Sequence, residues 1–371
     1  MNVRWAFTRV GVATGVLMVT VALAACGSSS NNSSSATSAA SSATSSAAAS
    51  GTTTGTTTTA LPAGYSGPES HVPTGYGTPK VKPGFKFVVG YLNPNAGVAS
   101  LLAQQKGVVA EAKALGGKAI TYNAVAGPQA QAADFKDLIT QGVNAIVVQP
   151  QSPLALSPLI KEAEAKHIVI IASNTPADAP SPNLPGYDSD ILQGTDVCAY
   201  EEVKTIKDAD PHAKVVAMGT SLPFPSLQYL TAREIYWAKK LGLDYLGRVD
   251  TSGPTPAEAQ TAQQSILARY PSANAVMAWF DIAAEAAVAT NRASGKTSIL
   301  VTGQGGDQAA IDEVKAGELL GTCKNQDGEI GTQAVMAAYD QLTKQHLPLP
   351  KKVSLPPIAV TKANASSIKG F

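Results

Sequence analysis

From Phe87 onward the chain repeats one pattern, in which short apolar runs too brief for buried helices alternate with longer stretches of helical spacing. The first runs are Phe87 to Leu92, Lys118 to Tyr122, Ala145 to Gln149 and Ile168 to Ala172, with helices expected at Val98 to Leu115, Gln129 to Gln141 and Leu154 to Lys166. Ala145, Ile146, Val147 and Val148 are apolar without a break, which suits a strand buried on both faces in a parallel sheet covered by helices. Alternation of this kind implies right-handed crossovers. After a proline-rich interruption from Pro176 to Pro185 the pattern resumes, with runs at Lys214 to Met218, Leu243 to Val249, Ala275 to Phe280, Ser298 to Gly303 and Leu320 to Lys324. Helices are expected at Leu192 to Lys207, Ser226 to Leu241, Pro256 to Arg269, Ile282 to Ala293, Asp307 to Ala316 and Glu329 to Lys344. The expected fold class is therefore α/β, with two doubly wound parallel-sheet lobes. In such sheets ligands sit beyond the carboxyl ends of the strands, which places a site in the cleft between lobes.

The first 84 residues are built differently. Arg4 and Arg9 precede an apolar run from Val10 to Leu23, short for a bilayer span, that ends in Leu23, Ala24, Ala25, Cys26. This reads as a secretory signal, 1–26. Every residue from 27 to 60 is Gly, Ser, Asn, Ala or Thr, a composition that cannot offset its ordering entropy. As a coil of roughly 34 residues it would reach about 30 Å. Residues 61–84 form a lead-in rich in proline and glycine, with Tyr65 and Tyr76, expected to be irregular and able to pack on the body as a strap.

Several function classes are excluded or weakened. With 28 Lys plus Arg against 27 Asp plus Glu, the chain has no electrostatic footprint for nucleic acid. Four scattered histidines and three cysteines offer no metal-spaced set, so no metal or cofactor is expected. Gly295, Lys296, Thr297 resembles the end of a phosphate loop, but Thr290 stands where its first glycine belongs and the segment joins helix to strand. Gly303, Gln304, Gly305, Gly306 begins like a dinucleotide fingerprint, yet Gln308 occupies the last glycine position, leaving a close backbone approach to a ligand or a tight turn. Ser221 lacks the flanking glycines of a nucleophile elbow. An enzyme is not expected. In an oxidising compartment Cys198 and Cys323 are a disulfide candidate, with two buried thiols as the alternative.

The stretch Asp137 to Pro150 (Asp-Leu-Ile-Thr-Gln-Gly-Val-Asn-Ala-Ile-Val-Val-Gln-Pro), followed by Leu154 through Ile171, resembles the ribose-type periplasmic binding proteins, the type I solute receptors of ABC importers. The resemblance runs from about Phe87 to Thr361, and the ending on Cys26 resembles a bacterial lipobox, in which that cysteine is acylated. It implies a three-segment hinge with crossings near Asp188 to Asp190, Asn325 to Gly328 and Val353 to Pro356, and it brings Cys198 near Cys323. The lobes would be 85–189 plus 326–353 and 190–325 plus 354–371.

Pocket positions carried over from the family fall on Asn95 in the first loop, on Ser173 and Asn174 where sugar binders commonly have Asp and Arg, on Phe280 and Asp281 after Trp279, on Gln304, and on Asn325 where the family has Gln. Phe224 and Arg233 lie near the family arginine's segment. With bidentate Asp and Arg groups gone, amides, hydroxyls and aromatic surface remain, a lining for a neutral or weakly polar ligand with one apolar face. Trp279 and Phe280 can equally finish a core strand, and Asp281 can either meet a ligand or cap the helix after it. The resulting expectation is a monomeric, lipid-anchored, extracytoplasmic substrate-binding protein that delivers a small sugar-like solute to an ABC permease. A sensor subunit for a membrane receptor and a secreted hydrolase are the alternatives.

Overall fold

The computed structural model describes residues 60–125, 127–175 and 186–371. Cys26, the signal, the tether up to residue 59 and the interruption at 176–185 lie outside them.

The described chain opens with a short 3-10 turn, Pro68–His71, inside the lead-in. Strands and helices then alternate as β1 (Val88–Asn93), α1 (Ala99–Ala114), β2 (Lys118–Asn123), α2 (Pro128–Thr140), β3 (Ala145–Val148), α3 (Pro153–Ala165), β4 (Val169–Thr175) and β5 (Ser189–Leu192). There follow α4 (Thr195–Ala209), β6 (Lys214–Thr220), α5 (Pro225–Lys240), β7 (Asp244–Thr251), α6 (Pro256–Arg269), β8 (Ala275–Ala278), α7 (Asp281–Ala293), β9 (Leu300–Gly305), α8 (Gln308–Ala316) and β10 (Gly321–Lys324). The last elements are α9 (Asp327–Thr343), β11 (Lys352–Ser354) and β12 (Ile358–Thr361). Proline opens α2, α3, α5 and α6, where its missing N–H has no partner to lose, and Thr255 with Glu258 adds a capping box to α6.

Two six-stranded sheets result, in the orders β11-β5-β4-β3-β1-β2 and β12-β10-β9-β8-β6-β7. Every pair is parallel except β10 with β12. The uninterrupted apolar runs are what the double covering requires. Val89, Tyr91, Val147 and Ile171 pack with residues of α1 and α9 on one face of the first sheet. Leu92, Ile146, Val148 and Ile170 pack with residues of α2 and α3 on the other. The second sheet lies in one continuous core with α4 to α8. A fully buried aliphatic side chain of this kind contributes about 1.5–3 kcal/mol.

The chain crosses between lobes after Leu192, after Lys324 and after Ser354, each time from the carboxyl end of a strand. The first crossing corrects the expectation of Asp188 to Asp190. Ser189–Leu192 pairs with both β4 and β11 and so belongs to the first sheet, which the lobe boundary at residue 189 divides. The turn into α4 uses Gly194 at φ 72°, and a Cβ there would lie 2.5 Å from Pro357 Cδ, so the first and third crossings are packed together. Strands β5, β11 and β12 went unread because three or four residues between prolines and polar groups carry too little periodicity.

Candidate functional site

Because the crossings leave from carboxyl ends, those ends of both sheets border the hinge. Across the cleft, α5 of the second lobe approaches β4 of the first.

The first lobe brings amides and hydroxyls to this edge. After β1, buried Asn93 donates through Nδ2 to Leu101 O (3.2 Å) and Gln105 Oε1 (3.0 Å), while its Oδ1 accepts from Asn95 N (3.0 Å). Half-buried Asn95 in turn accepts from Gly97 N at 2.9 Å, so the loop is knit before any ligand arrives. At the end of β4, Ser173 Oγ accepts from Gln104 Nε2 (2.8 Å). Asn174 donates through Nδ2 to Gln104 Oε1 (3.0 Å) and Gln149 Oε1 (3.1 Å). Asn174 holds φ 54°, a left-handed conformation that asparagine tolerates better than most side chains, and its buried Oδ1 has no partner among the described residues.

The second lobe contributes a more rigid edge. Trp279 is buried, donates through Nε1 to Thr251 Oγ1 (3.2 Å), and stacks on half-buried Phe280 with centroids 5.4 Å apart. Half-buried Phe224 stands at the N-cap of α5. Gln304 is buried with Oε1 unpartnered. Asn325 is buried, with Oδ1 3.5 Å from Cys198 Sγ. Cys198 on α4 and Cys323 on β10 are joined as a disulfide.

Asp281 has its oxygens taken by the protein. Oδ2 accepts from Gly306 N (2.6 Å) and Asp307 N (2.9 Å), and Oδ1 from Thr322 Oγ1 (2.6 Å). Burial pushes this carboxyl up to about 7, against the pull of those hydrogen bonds. The same contacts account for the glycines at 303–306. A Cβ on Gly303 would lie 2.8 Å from Asp281 Oδ1, and one on Gly306 would lie 2.3 Å from Lys324 Cγ. The close approach is to the protein's own side chains.

Arg233 is also committed elsewhere, paired with Asp196 on α4 and lying over the Tyr236 ring.

Three groups at this edge escaped the sequence reading. Lys324 ends β10 with Nζ 4.1 Å above the Phe371 ring, its pKa lowered by burial. Arg248 donates through Nη2 to Thr220 O (3.2 Å) and Gln228 Oε1 (3.0 Å), fixing the turn after β6. Asp327 begins α9 wholly buried, beside the Asn174 amide. Burial pushes Asp327 up to about 7, opposed by the Lys324 ammonium and the Asn174 amide. The available signal was its place two residues after Asn325, but an Asp opening a helix reads first as a local cap.

Residues 89–346 match the model of the periplasmic binding protein domain family. The chain belongs to this family. Membership carries a solute-binding role outside the cytoplasm. Among curated relatives, the ribose import binding protein of Bacillus subtilis is 25% identical over 260 residues, covering 69% of this chain and 82% of the relative. The xylitol-binding protein of Mycolicibacterium smegmatis is 26% identical over 218 residues, covering 58% and 60%. Among solved structures, an ABC transporter solute-binding protein from Actinobacillus succinogenes with bound D-allose superposes with a TM-score of 0.69 at 20% identity, covering 76% of this chain and all of that one. The superposition shows that this periplasmic binding protein shares its fold of two parallel-sheet lobes with that structure.

Proposed function

We propose that this periplasmic binding protein captures a small, uncharged, polyhydroxylated solute, a sugar or sugar alcohol, between its lobes and presents the closed form to an ABC permease. One observation carries the reading: the buried acceptors Asn174 Oδ1 on one edge and Gln304 Oε1 on the other lack partners among the described residues. A buried acceptor left without a donor costs about 1–3 kcal/mol, and solute hydroxyls can supply those donors. The Trp279 and Phe280 stack adds an apolar surface of the kind a sugar ring covers. Relatives that bind ribose, xylitol and D-allose support the same solute class. Contacts from both lobes would favour the closed arrangement, so solute affinity and lobe closure are one equilibrium.

The ending Leu-Ala-Ala-Cys26 and the polar tether after it support a lipid anchor at Cys26, with the body acting as a monomer at the outer face of the cell membrane. Calorimetry with D-ribose, D-allose and xylitol tests the solute class. Saturable 1:1 binding of at least one is expected, and no heat with any of them would reject it. Cys26→Ala tests the anchor: the protein should leave the membrane fraction, and retention there would reject lipidation at this residue.

A further inference from the structure

The lead-in before β1 runs from one lobe to the other across the hinge. At its far end Tyr65 packs against Tyr200 and Trp237 of the second lobe, with ring centroids at 5.6 and 5.8 Å, and donates to Asp196 Oδ2 at 2.7 Å. Asp196, wholly buried at the start of α4, also accepts from Trp237 Nε1 at 2.9 Å and pairs with Arg233. Gly67 lies so close that a Cβ there would stand 2.0 Å from Asp196 Oδ2, a fit that leaves no room for another residue. At its near end the lead-in lies on the first lobe. Tyr76 N donates to Gln333 Oε1 of α9 at 2.8 Å, and the Tyr76 hydroxyl shares a 2.5 Å hydrogen bond with Ser189 of β5.

Between these ends, over the hinge, sits Glu69, wholly buried. Its Oε1 accepts from Asp196 N at 2.9 Å, on the second lobe's first helix. Its Oε2 accepts from Ser354 Oγ at 2.5 Å, on the last residue of the first sheet before the third crossing. Ser354 N also donates to Pro73 O at 2.8 Å. One carboxylate thus ties α4 to β11 across the crossings that must flex when the cleft opens.

We propose that residues 65–76 act as a fourth hinge segment, a clamp in which Glu69 and Tyr65 hold the lobes in the closed arrangement and thereby set the affinity for solute. The proposal rests on the reading that the cleft opens and closes about its solute. Neither side chain need touch that solute: both are positioning residues, acting through the orientation of α4 relative to β11. Opening turns α4 away from β11, and Glu69 cannot keep both partners. A hydrogen bond worth about 1–1.5 kcal/mol is strong enough to move such an equilibrium about tenfold, and apparent affinity falls with the competent fraction.

The test measures the lobe separation of the full chain without solute. Spin labels borne on unnatural amino acids replace the exposed Lys113 and Lys296, at the ends of α1 and α7 remote from the cleft, so native cysteines are untouched. Glu69→Gln and Tyr65→Phe should each raise the open-to-closed ratio by about tenfold. Ser354→Ala should act like Glu69→Gln, and the two together should do little more than either, as expected of partners in one contact. Gly67→Ala, which dislodges the strap by bulk alone, should give the same shift. Unchanged distance distributions in these variants, with only melting temperature lowered, would overturn the proposal and leave the strap a structural brace. Because the distances are read without solute, failure of every sugar to bind would count against the functional reading alone.

Discussion

The two edges of the cleft are made from different chemistry. The first lobe offers a neutral mesh in which Gln104, Gln149, Ser173 and Asn174 share hydrogen bonds that a solute hydroxyl can join. The second offers a platform fixed from behind, with Asp281 holding the loop at 306–307 and the Cys198–Cys323 bond tying α4 to β10. The first lobe contains no cysteine at all. The lesson is a division of labour: an adaptable edge that reads hydroxyl positions faces a stiff one that supplies shape.

The largest expected effect breaks the stiff edge. Replacing both Cys198 and Cys323 by Ser opens a loop of 125 residues and should lower second-lobe stability by about 4 kcal/mol, seen as faster hydrogen exchange in α4 and β10. Equal loss of protection across β1 to β4 would mean the lobes do not differ in this way. Next, Asp281→Ala leaves two backbone N–H groups and the Thr322 hydroxyl without their acceptor, so about 3 kcal/mol should be lost in denaturant titration. A loss below 1 kcal/mol would contradict the locking role assigned to Asp281.

A third effect is a pH slope seated in the second lobe. Glu202 and Glu234 are wholly buried near one another on α4 and α5, and burial raises both, Glu234 to about 8. The folded state then keeps protons that the unfolded chain has released, so stability should be highest near the ordinary carboxylate range and fall as pH rises from there through about 8. Glu234→Gln should flatten that fall. Stability rising between pH 5 and 8 would reverse the sign of the argument.

The smallest effect on stability sharpens the adaptable edge. Asn174→Ala takes the donor from Gln104 Oε1 and Gln149 Oε1 and should lower stability by about 1–2 kcal/mol, less than Asp281→Ala, yet weaken a bound sugar about tenfold in calorimetry. Unaltered affinity would remove Asn174 from the solute's contacts.

The sequence carried most of the architecture because uninterrupted runs such as Ala145–Val148 leave a doubly covered strand as their natural place. Short β5, β11 and β12 lie below that signal, and the chain crosses later than the pattern suggests because Ser189–Leu192 does not read as a strand. At the site, residue types at strand ends were legible, but the direction of each side chain was not. Asp281 at the end of its run looks like a cleft group until Gly306, Asp307 and Thr322 are seen to occupy it. Asp327 looks like a helix cap until it is seen wholly buried beside the Asn174 amide and Lys324. The lead-in's strap depends on Glu69 meeting Asp196 and Ser354, separated from it by 127 and 285 residues, which no local pattern encodes.

The most direct test of capture between lobes is small-angle scattering of Glu69→Gln, whose strap no longer favours closure, titrated with a sugar whose binding calorimetry has established. A radius of gyration that falls and saturates at one equivalent is the expected result; binding heat with an unchanged radius would place the solute outside the cleft and contradict the account.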